Sequence, residues 1–398
     1  MYPELFASRM ERVKPSSIRE FLAAASQPDV ISFGGGFPDP ALFPTETLTQ
    51  VFSQIMKNDG GQALQYTASD GLPSLRKKLA ARMKKTAGVS CEANEIFITQ
   101  GGQQGMDLMA KLLINKDDVI VTERPTFLGG LLAFNAYEPQ YKTCGMDNNG
   151  MKVDELEDIL KNTPKVKFIY TIPDFHNPMG VTMSLERRKK LLELANKYGV
   201  MILEDTPYRE VRYEGEALPA IKSFDTQNRV VFLGSFSKIL SPGMRLGWVA
   251  ADAAIVEKMV LLKTAADTQC STLNMFLADR FMEMTDIDEH IGKLRDSYKR
   301  KKDFMLQMMQ EHFPAGASWT NPEGGLFTWL TLPEYIDSGK IMQERILPEA
   351  RVIYVPSEGF YPQNPERNHA RMNYSCMSEE KIRLGISRMG AILKDYCK

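Results

Sequence analysis

Residues 234–248 read GSFSKILSPGMRLGW: a single lysine, Lys238, stands among small polar residues after the apolar run RVVFLG, and Arg245 follows seven positions later. An amine, the hydroxyls of Ser235 and Ser237, and a guanidinium at the end of a buried strand suit a lysine that condenses with an aldehyde beside a phosphate. Hydroxyls donate to phosphate oxygens and Arg grips them with a planar fork. Other polar residues fall at equivalent places. Asn177 lies just beyond KFIYTIP, Asp205 ends VMILED, and Tyr208 comes three residues after that aspartate. Upstream, TQGGQQGMDLMAKLL opens a helix on Gly101 and Gly102 directly after EIFITQ, and the free N–H groups of a helix start bind anions. No one of these pieces is specific, but their joint order along the chain is. A phosphate cradle, an amide, a carboxylate and a lysine are the set that pyridoxal phosphate chemistry requires. The carboxylate keeps the pyridine nitrogen protonated, so that the ring accepts the electron pair released at a substrate α-carbon. Its own ionised form is favoured by the cationic ring. Asn177 and Tyr208 can donate to the ring phenolate.

The elements that must hold these residues follow from the hydrophobic period. From residue 45 to 285, helical patterns alternate with short apolar runs, the pattern of α/β units around a mostly parallel sheet. The strand candidates are 95–100, 118–123, 167–173, 200–205 and 229–235. Between the third and fourth, SLERRKKLLELANKYG (184–199) has a Ser N-cap, amphipathic spacing and a closing Gly, which predicts a βαβ unit over 167–205. Ligands of such sheets sit beyond the carboxyl ends of the strands, where Asn177, Asp205 and Lys238 fall. After residue 285 come a long charged helix (290–313), the strand candidates GGLFTWLTLP, RVIYVPS and HARMNYSC, and a final helix from Ser378. The chain opens with a short helix, PSSIREFLAAA, and an extended segment, DVISFGGGFPDPALFP, whose Gly34 to Gly36 either let the backbone approach a ligand closely or merely turn the chain. The predicted fold is α/β, with a mostly parallel central sheet in a large domain (46–285), a smaller α+β domain (286–398), and an N-terminal segment (1–45) packed across their junction.

Composition narrows the partners. At 398 residues the chain is longer than one hydrophobic core usually serves, hence the two domains. The 49 Lys+Arg against 50 Asp+Glu, with no basic stripe, argue against a nucleic-acid surface. The five cysteines (Cys91, Cys144, Cys270, Cys376, Cys397) form no CxxC pair, and the four histidines (His176, His290, His312, His369) lack metal spacing. No metal and a reducing cytoplasm are therefore expected. No apolar run reaches membrane-spanning length, and charges interrupt the N-terminus where a signal peptide needs an apolar stretch.

With these residues in place, the sequence resembles the class I and II aminotransferases of the fold-type I pyridoxal phosphate superfamily, most closely the aminoadipate/kynurenine aminotransferase group. The resemblance runs from SSIREFLAAASQPDVISFGGGFPDP to ARMNYSC. It rests most on SFSKILSPGMRLGW, HNPMG (176–180), EDTPY (204–208) and QYTASDGLPSLR (65–76). It implies that Lys238 is the Schiff-base lysine and proton shuttle, Asp205 the partner of the ring nitrogen, and Asn177 and Tyr208 the phenolate contacts. It further implies that Ser235, Ser237, Arg245, Gln103 and the backbone of Gly101 and Gly102 hold the phosphate, and that Phe127 stacks on the ring. Arg371 would bind the substrate α-carboxylate, with Asn177 and Gly36 nearby. Tyr66 would reach the phosphate of a neighbouring subunit, which implies a homodimer with shared sites. Arg19 would close over the substrate, or else belong to a solvated helix face.

The implied activity moves an amino group from an L-amino acid to a 2-oxo acid. Glutamate and 2-oxoglutarate stand on one side, and 2-aminoadipate, an aromatic or a branched-chain amino acid on the other. β-Elimination or other α-carbon chemistry, and a non-catalytic regulator on the same fold, are the alternatives. Three departures are visible: Gly102 stands where relatives often carry Ser, Phe127 where a Tyr commonly stacks, and Met179 in place of a small residue in the Asn-Pro-x-Gly turn. None removes a required chemical group.

Overall fold

The five predicted runs between residues 95 and 235 all become strands of one sheet. In the structure, a computed structural model that describes residues 2–13 and 27–397, eight strands pair in the order β1-β8-β7-β6-β5-β2-β3-β4. They are β1 (Ile96–Thr99), β2 (Val119–Arg124), β3 (Gln140–Asp147), β4 (Gly150–Met151), β5 (Val166–Thr171), β6 (Met201–Asp205), β7 (Val230–Ser235) and β8 (Gly247–Ala250). Strands β3, β2, β5, β6 and β7 run parallel, β8 runs antiparallel to β1 and β7, and β4 is antiparallel to β3. The predicted helix around residues 15–25, and Arg19 with it, lies outside the described residues.

Successive side chains of a strand point to opposite faces, and here they feed two separate clusters. Leu203, Val231 and Leu233 pack with Met106, Leu108 and Met109 of α1 (Gly102–Leu113) and with Ala133 and Phe134 of α2 (Leu128–Asn135). Ile169, Ile202 and Val230 pack instead with Leu191, Leu192, Leu194 and Ala195 of α3 (Leu185–Tyr198). A sheet covered on both faces needs apolar residues at almost every position, so its central strands are legible as runs. The α3 boundaries are those predicted: Ser184 Oγ accepts the Arg187 N–H at 3.3 Å, and Gly199 takes φ +68° to end the helix.

Strands β3, β4 and β8 of this sheet were not predicted. Strand β8 is four residues long and begins on glycine, while β3 starts with Gln140 and Lys142 exposed at the margin of the sheet. Beyond the large sheet, β9 (Ser318–Trp319), β10 (Phe327–Thr331), β11 (Val355–Pro356) and β12 (His369–Asn373) form a second sheet, antiparallel throughout, in the order β9-β10-β12-β11. It is accompanied by α4 (Ile287–His312) and α5 (Glu379–Tyr396), which pack on each other. Ile31–Ser32 pairs in parallel with Val352–Ile353. The glycine segment that follows is held from both sides: Arg371 of β12 donates to the Gly34 carbonyl at 2.8 Å, and Lys238 donates to the Gly36 carbonyl at 2.6 Å.

Candidate active site

Strands β5, β6 and β7 end side by side, and each brings polar residues to the same place: Asn177 beyond β5, Asp205 as the last residue of β6, and Ser235 as the last of β7. A cavity of about 320 Å³ opens there. Gly36, Gly102, Gln103, Phe127, Asn177, Asp205, Tyr208, Ser235, Ser237, Lys238, Arg245 and Arg371 all line it. Gly101 stands at the N-cap of α1, one residue outside the lining. Tyr66 is 82% exposed and takes no part in this cavity.

Among the described residues, the charged groups of the cavity lack counter-ions. Asp205 is buried, and its Oδ2 accepts from the Tyr170 hydroxyl at 2.8 Å. Burial pushes its carboxyl up to about 7, the Tyr170 hydroxyl pulls the other way, and the Glu123 carboxylate pushes it up further. Burial brings the Lys238 amine down to about 8, with the positive charges of Arg371 and Arg245 acting in the same direction. An amine so lowered is available as a free base close to neutral pH, and a carboxyl so raised calls for a cation beside it.

Arg371 is buried, donating from Nη1 to Asn177 Oδ1 at 2.9 Å and from Nη2 to the Gly34 carbonyl. Its guanidinium lies 4.3 Å from the Phe327 ring centroid and 5.3 Å from that of Phe360, and its Nε has no partner among the described residues. Burial lowers its proton affinity to about 10. Desolvated without a carboxylate, among the described residues, such a guanidinium is a receptor for one. Asn177 Nδ2 donates to the Tyr208 hydroxyl at 3.0 Å. Burial pushes the Tyr208 phenol up, so it stays protonated and able to donate.

The phosphate side is shaped by glycines. Gly101 has φ +73°, and a Cβ there would come within 2.7 Å of Arg245 Nη2. A Cβ on Gly247 would stand 2.9 Å from the Gly101 carbonyl carbon and 2.8 Å from the Gly234 oxygen. Only glycine permits this approach of β8 and Arg245 to the start of α1, whose first N–H groups have no intrahelical acceptor. Arg245 Nη2 donates to the Gln100 carbonyl at 3.2 Å, and Ser235 Oγ accepts the Ser237 N–H at 3.1 Å. Gln103 differs from expectation in one respect: its side-chain amide donates to the Gly129 carbonyl at 2.7 Å, leaving its backbone N–H for an anion.

Two buried residues were missed. Tyr170 sits inside an apolar run and reads as strand core. Glu123 ends the run VIVTE; it accepts from Thr171 Oγ1 at 2.6 Å and the Ile172 N–H at 3.1 Å, and lies 3.0 Å from His176 Nε2. A carboxylate closing an otherwise apolar run was the available signal.

Comparison with known proteins agrees with this geometry. Residues 28–389 match the model of the family aminotransferase class I and II. The chain is 42% identical to aromatic-amino-acid aminotransferase 1 of Thermococcus litoralis, over 100% of this chain and 96% of that protein. Its structure superposes on the kynurenine aminotransferase of Pyrococcus horikoshii, solved in complex with PMP, with a TM-score of 0.95 and 40% identity, covering 99% of this chain and 98% of that one. For the α-aminoadipate aminotransferase of Thermus thermophilus, complexed with N-(5'-phosphopyridoxyl)-L-leucine, the TM-score is 0.91 at 31% identity, with 99% and 98% covered. The residues present fit pyridoxal phosphate: a buried carboxyl without a cation, a buried amine of lowered proton affinity, and a glycine-lined helix start closed by Arg245. The chain belongs to the class I and II aminotransferases, enzymes of fold type I that work with pyridoxal phosphate.

Proposed function

We propose that this aminotransferase couples glutamate and 2-oxoglutarate to a second amino acid and 2-oxo acid pair, of the aromatic, 2-aminoadipate or branched-chain class. The observation that carries the reading is the pair on the cavity floor: a buried carboxyl raised to about 7 and a buried amine lowered to about 8, at the ends of neighbouring strands. The names of the relatives support the aromatic and aminoadipate classes, and the apolar walls supplied by Phe37 and Leu128 suit the aromatic one.

Bound pyridoxal phosphate supplies an aldehyde that condenses with amines and a ring that takes up the electron pair released at the substrate α-carbon. Lys238 would hold the aldehyde between turnovers, and its amine, when free, would take the proton from the substrate α-carbon. A base of tuned proton affinity contributes roughly 10²- to 10⁴-fold. Asp205 would keep the proton on the ring nitrogen, Asn177 and Tyr208 would donate to the phenolate oxygen, and Phe127 would supply an aromatic face to the ring. Ser235, Ser237, Arg245 and the N–H groups of Gly102 and Gln103 would hold the phosphate, whereas the Gly101 N–H expected there is taken by the Thr99 carbonyl at 2.8 Å. Arg371 would receive the substrate α-carboxylate next to the Gly36 backbone, and Arg19 is the candidate for a second carboxylate. Tyr66 of each copy completes the phosphate site of the other in a homodimer, which accords with its exposure here. The working division of the chain is 46–285 for the cofactor and 286–398 with 1–45 for closing over the substrate. The enzyme is assigned to the cytoplasm: its five cysteines are unpaired, and among the described residues no helix is long and apolar enough to cross a membrane.

The test is Lys238→Ala, assayed with glutamate and a panel of aromatic, branched-chain and six-carbon dicarboxylic 2-oxo acids while 2-oxoglutarate release is followed. Turnover should fall to background, and borohydride should fix no cofactor to the chain. Turnover near the wild-type rate would overturn the assignment.

A further inference from the structure

We propose that Tyr170 is a positioning residue for this reaction, its hydroxyl holding one oxygen of Asp205 so that the other faces the ring nitrogen of the cofactor. The proposal rests on the assignment of Asp205 to that nitrogen. Tyr170 comes from β5 and is fully buried. Its hydroxyl, 2.8 Å from Asp205 Oδ2, is the one protein donor to this carboxylate among the described residues. Asp205 lines the cavity and keeps 4% exposure, so the carboxylate is tied back through Oδ2 while its second oxygen has no protein donor.

The phenol ring is held in turn. The Phe134 ring meets it edge to face at 5.3 Å, and Gly130 leaves the space it occupies, since a Cβ there would stand 2.9 Å from Tyr170 Cε1. Both belong to α2, the helix that begins immediately after Phe127. One helix thus carries the ring expected on the cofactor face and fixes the phenol that orients the cofactor's carboxylate partner. The other ionisable groups around this phenol are Glu123 and Tyr208. Glu123 accepts from the Thr171 hydroxyl and the Ile172 N–H and lies 3.0 Å from His176 Nε2. With burial and the Asp205 and Glu123 charges pushing its proton affinity up, Tyr170 remains a donor. A tyrosine that only fills the core would be replaced by phenylalanine without consequence.

The test compares holoenzymes carrying ring-¹⁵N-labelled cofactor. Tyr170→Phe should move the ring-nitrogen resonance toward the unprotonated form. It should also lower kcat roughly tenfold, the loss typical of a hydrogen bond to a charged group, with KM little changed. Gly130→Ala, which crowds the phenol without removing its hydroxyl, should move the resonance in the same direction. An unmoved resonance in Tyr170→Phe, with wild-type kcat, would reduce Tyr170 to packing, as would an unmoved resonance in Gly130→Ala. Asp205→Asn separates the two assignments: if it leaves the resonance in place, the role of Asp205 itself is wrong. If it shifts the resonance while Tyr170→Phe does not, only the proposal for Tyr170 falls.

Discussion

In the cofactor-free protein Asp205 is a buried acid and Lys238 a buried base, and their titrations act on stability in opposite senses. Asp205 binds a proton below about 7 when folded and below about 4 when unfolded. Between those values the folded state holds more protons, so stability falls as pH rises, and the cost of the buried charge is complete above about 7. Lys238 loses its proton near 8 when folded, against 10.5 for the unperturbed amine. Across that interval the unfolded state holds more protons and stability rises with pH. The empty site is therefore most costly between these two windows, and bound cofactor relieves it there. Cofactor-free Asp205→Asn, which still offers Tyr170 an acceptor, should accordingly be more stable than wild type near pH 8. The gain should be a few kcal/mol at most, one pKa unit being about 1.4 kcal/mol, and should shrink toward nothing as pH falls toward 4. Urea denaturation across this range checks it, and a gain independent of pH would point away from the buried charge. At this scale Lys238, Asp205 and Asn177 were legible because each ends or follows an apolar run, where a polar residue needs a reason. Tyr170 was not, because its partner lies 35 residues away on another strand and a tyrosine within a strand announces nothing but core.

The elements meet most tightly where β8 passes the start of α1. Gly247 lies opposite Thr99 of β1 and Ser235 of β7, and its missing Cβ is what lets the Gly101 backbone sit against the sheet. Gly247→Ala should cost roughly 1–3 kcal/mol, the usual penalty for overpacking, because backbone on two sides cannot yield as a side chain can. The same displacement disturbs the N–H groups that face the phosphate. Cofactor affinity should therefore fall, while kcat at saturating cofactor holds because Lys238 and Asp205 are untouched. Unfolding midpoints and cofactor titration read the two effects separately, and unchanged affinity would detach Gly247 from the phosphate site. The sequence reading recovered β1, β2, β5, β6 and β7 because strands buried on both faces are written as apolar runs. It passed over β8, since GWVA is short and starts on a glycine whose purpose is visible only in three dimensions.

For the molecule as a whole, the open question is what covers Tyr66. It is 82% exposed, with Leu64 at 67%, Leu261 at 59% and Phe37, which lines the cavity, at 53%. A homodimer that exchanges Tyr66 would cover part of this surface and complete each cavity from the neighbouring copy. Because such an assembly is two-fold symmetric, it makes a prediction that a self-contained site does not. Lys238→Ala and Tyr66→Ala chains are each prepared alone, then mixed, dissociated and reassociated. In a shared-site dimer, one cavity of each mixed pair collects both defects and the other receives an intact Lys238 and an intact Tyr66. Random reassociation makes half the dimers mixed with one sound cavity each, so activity should climb to about a quarter of wild type. If each chain used its own Tyr66, mixing would never exceed the residual activity of Tyr66→Ala, and the exposed tyrosine would need another explanation.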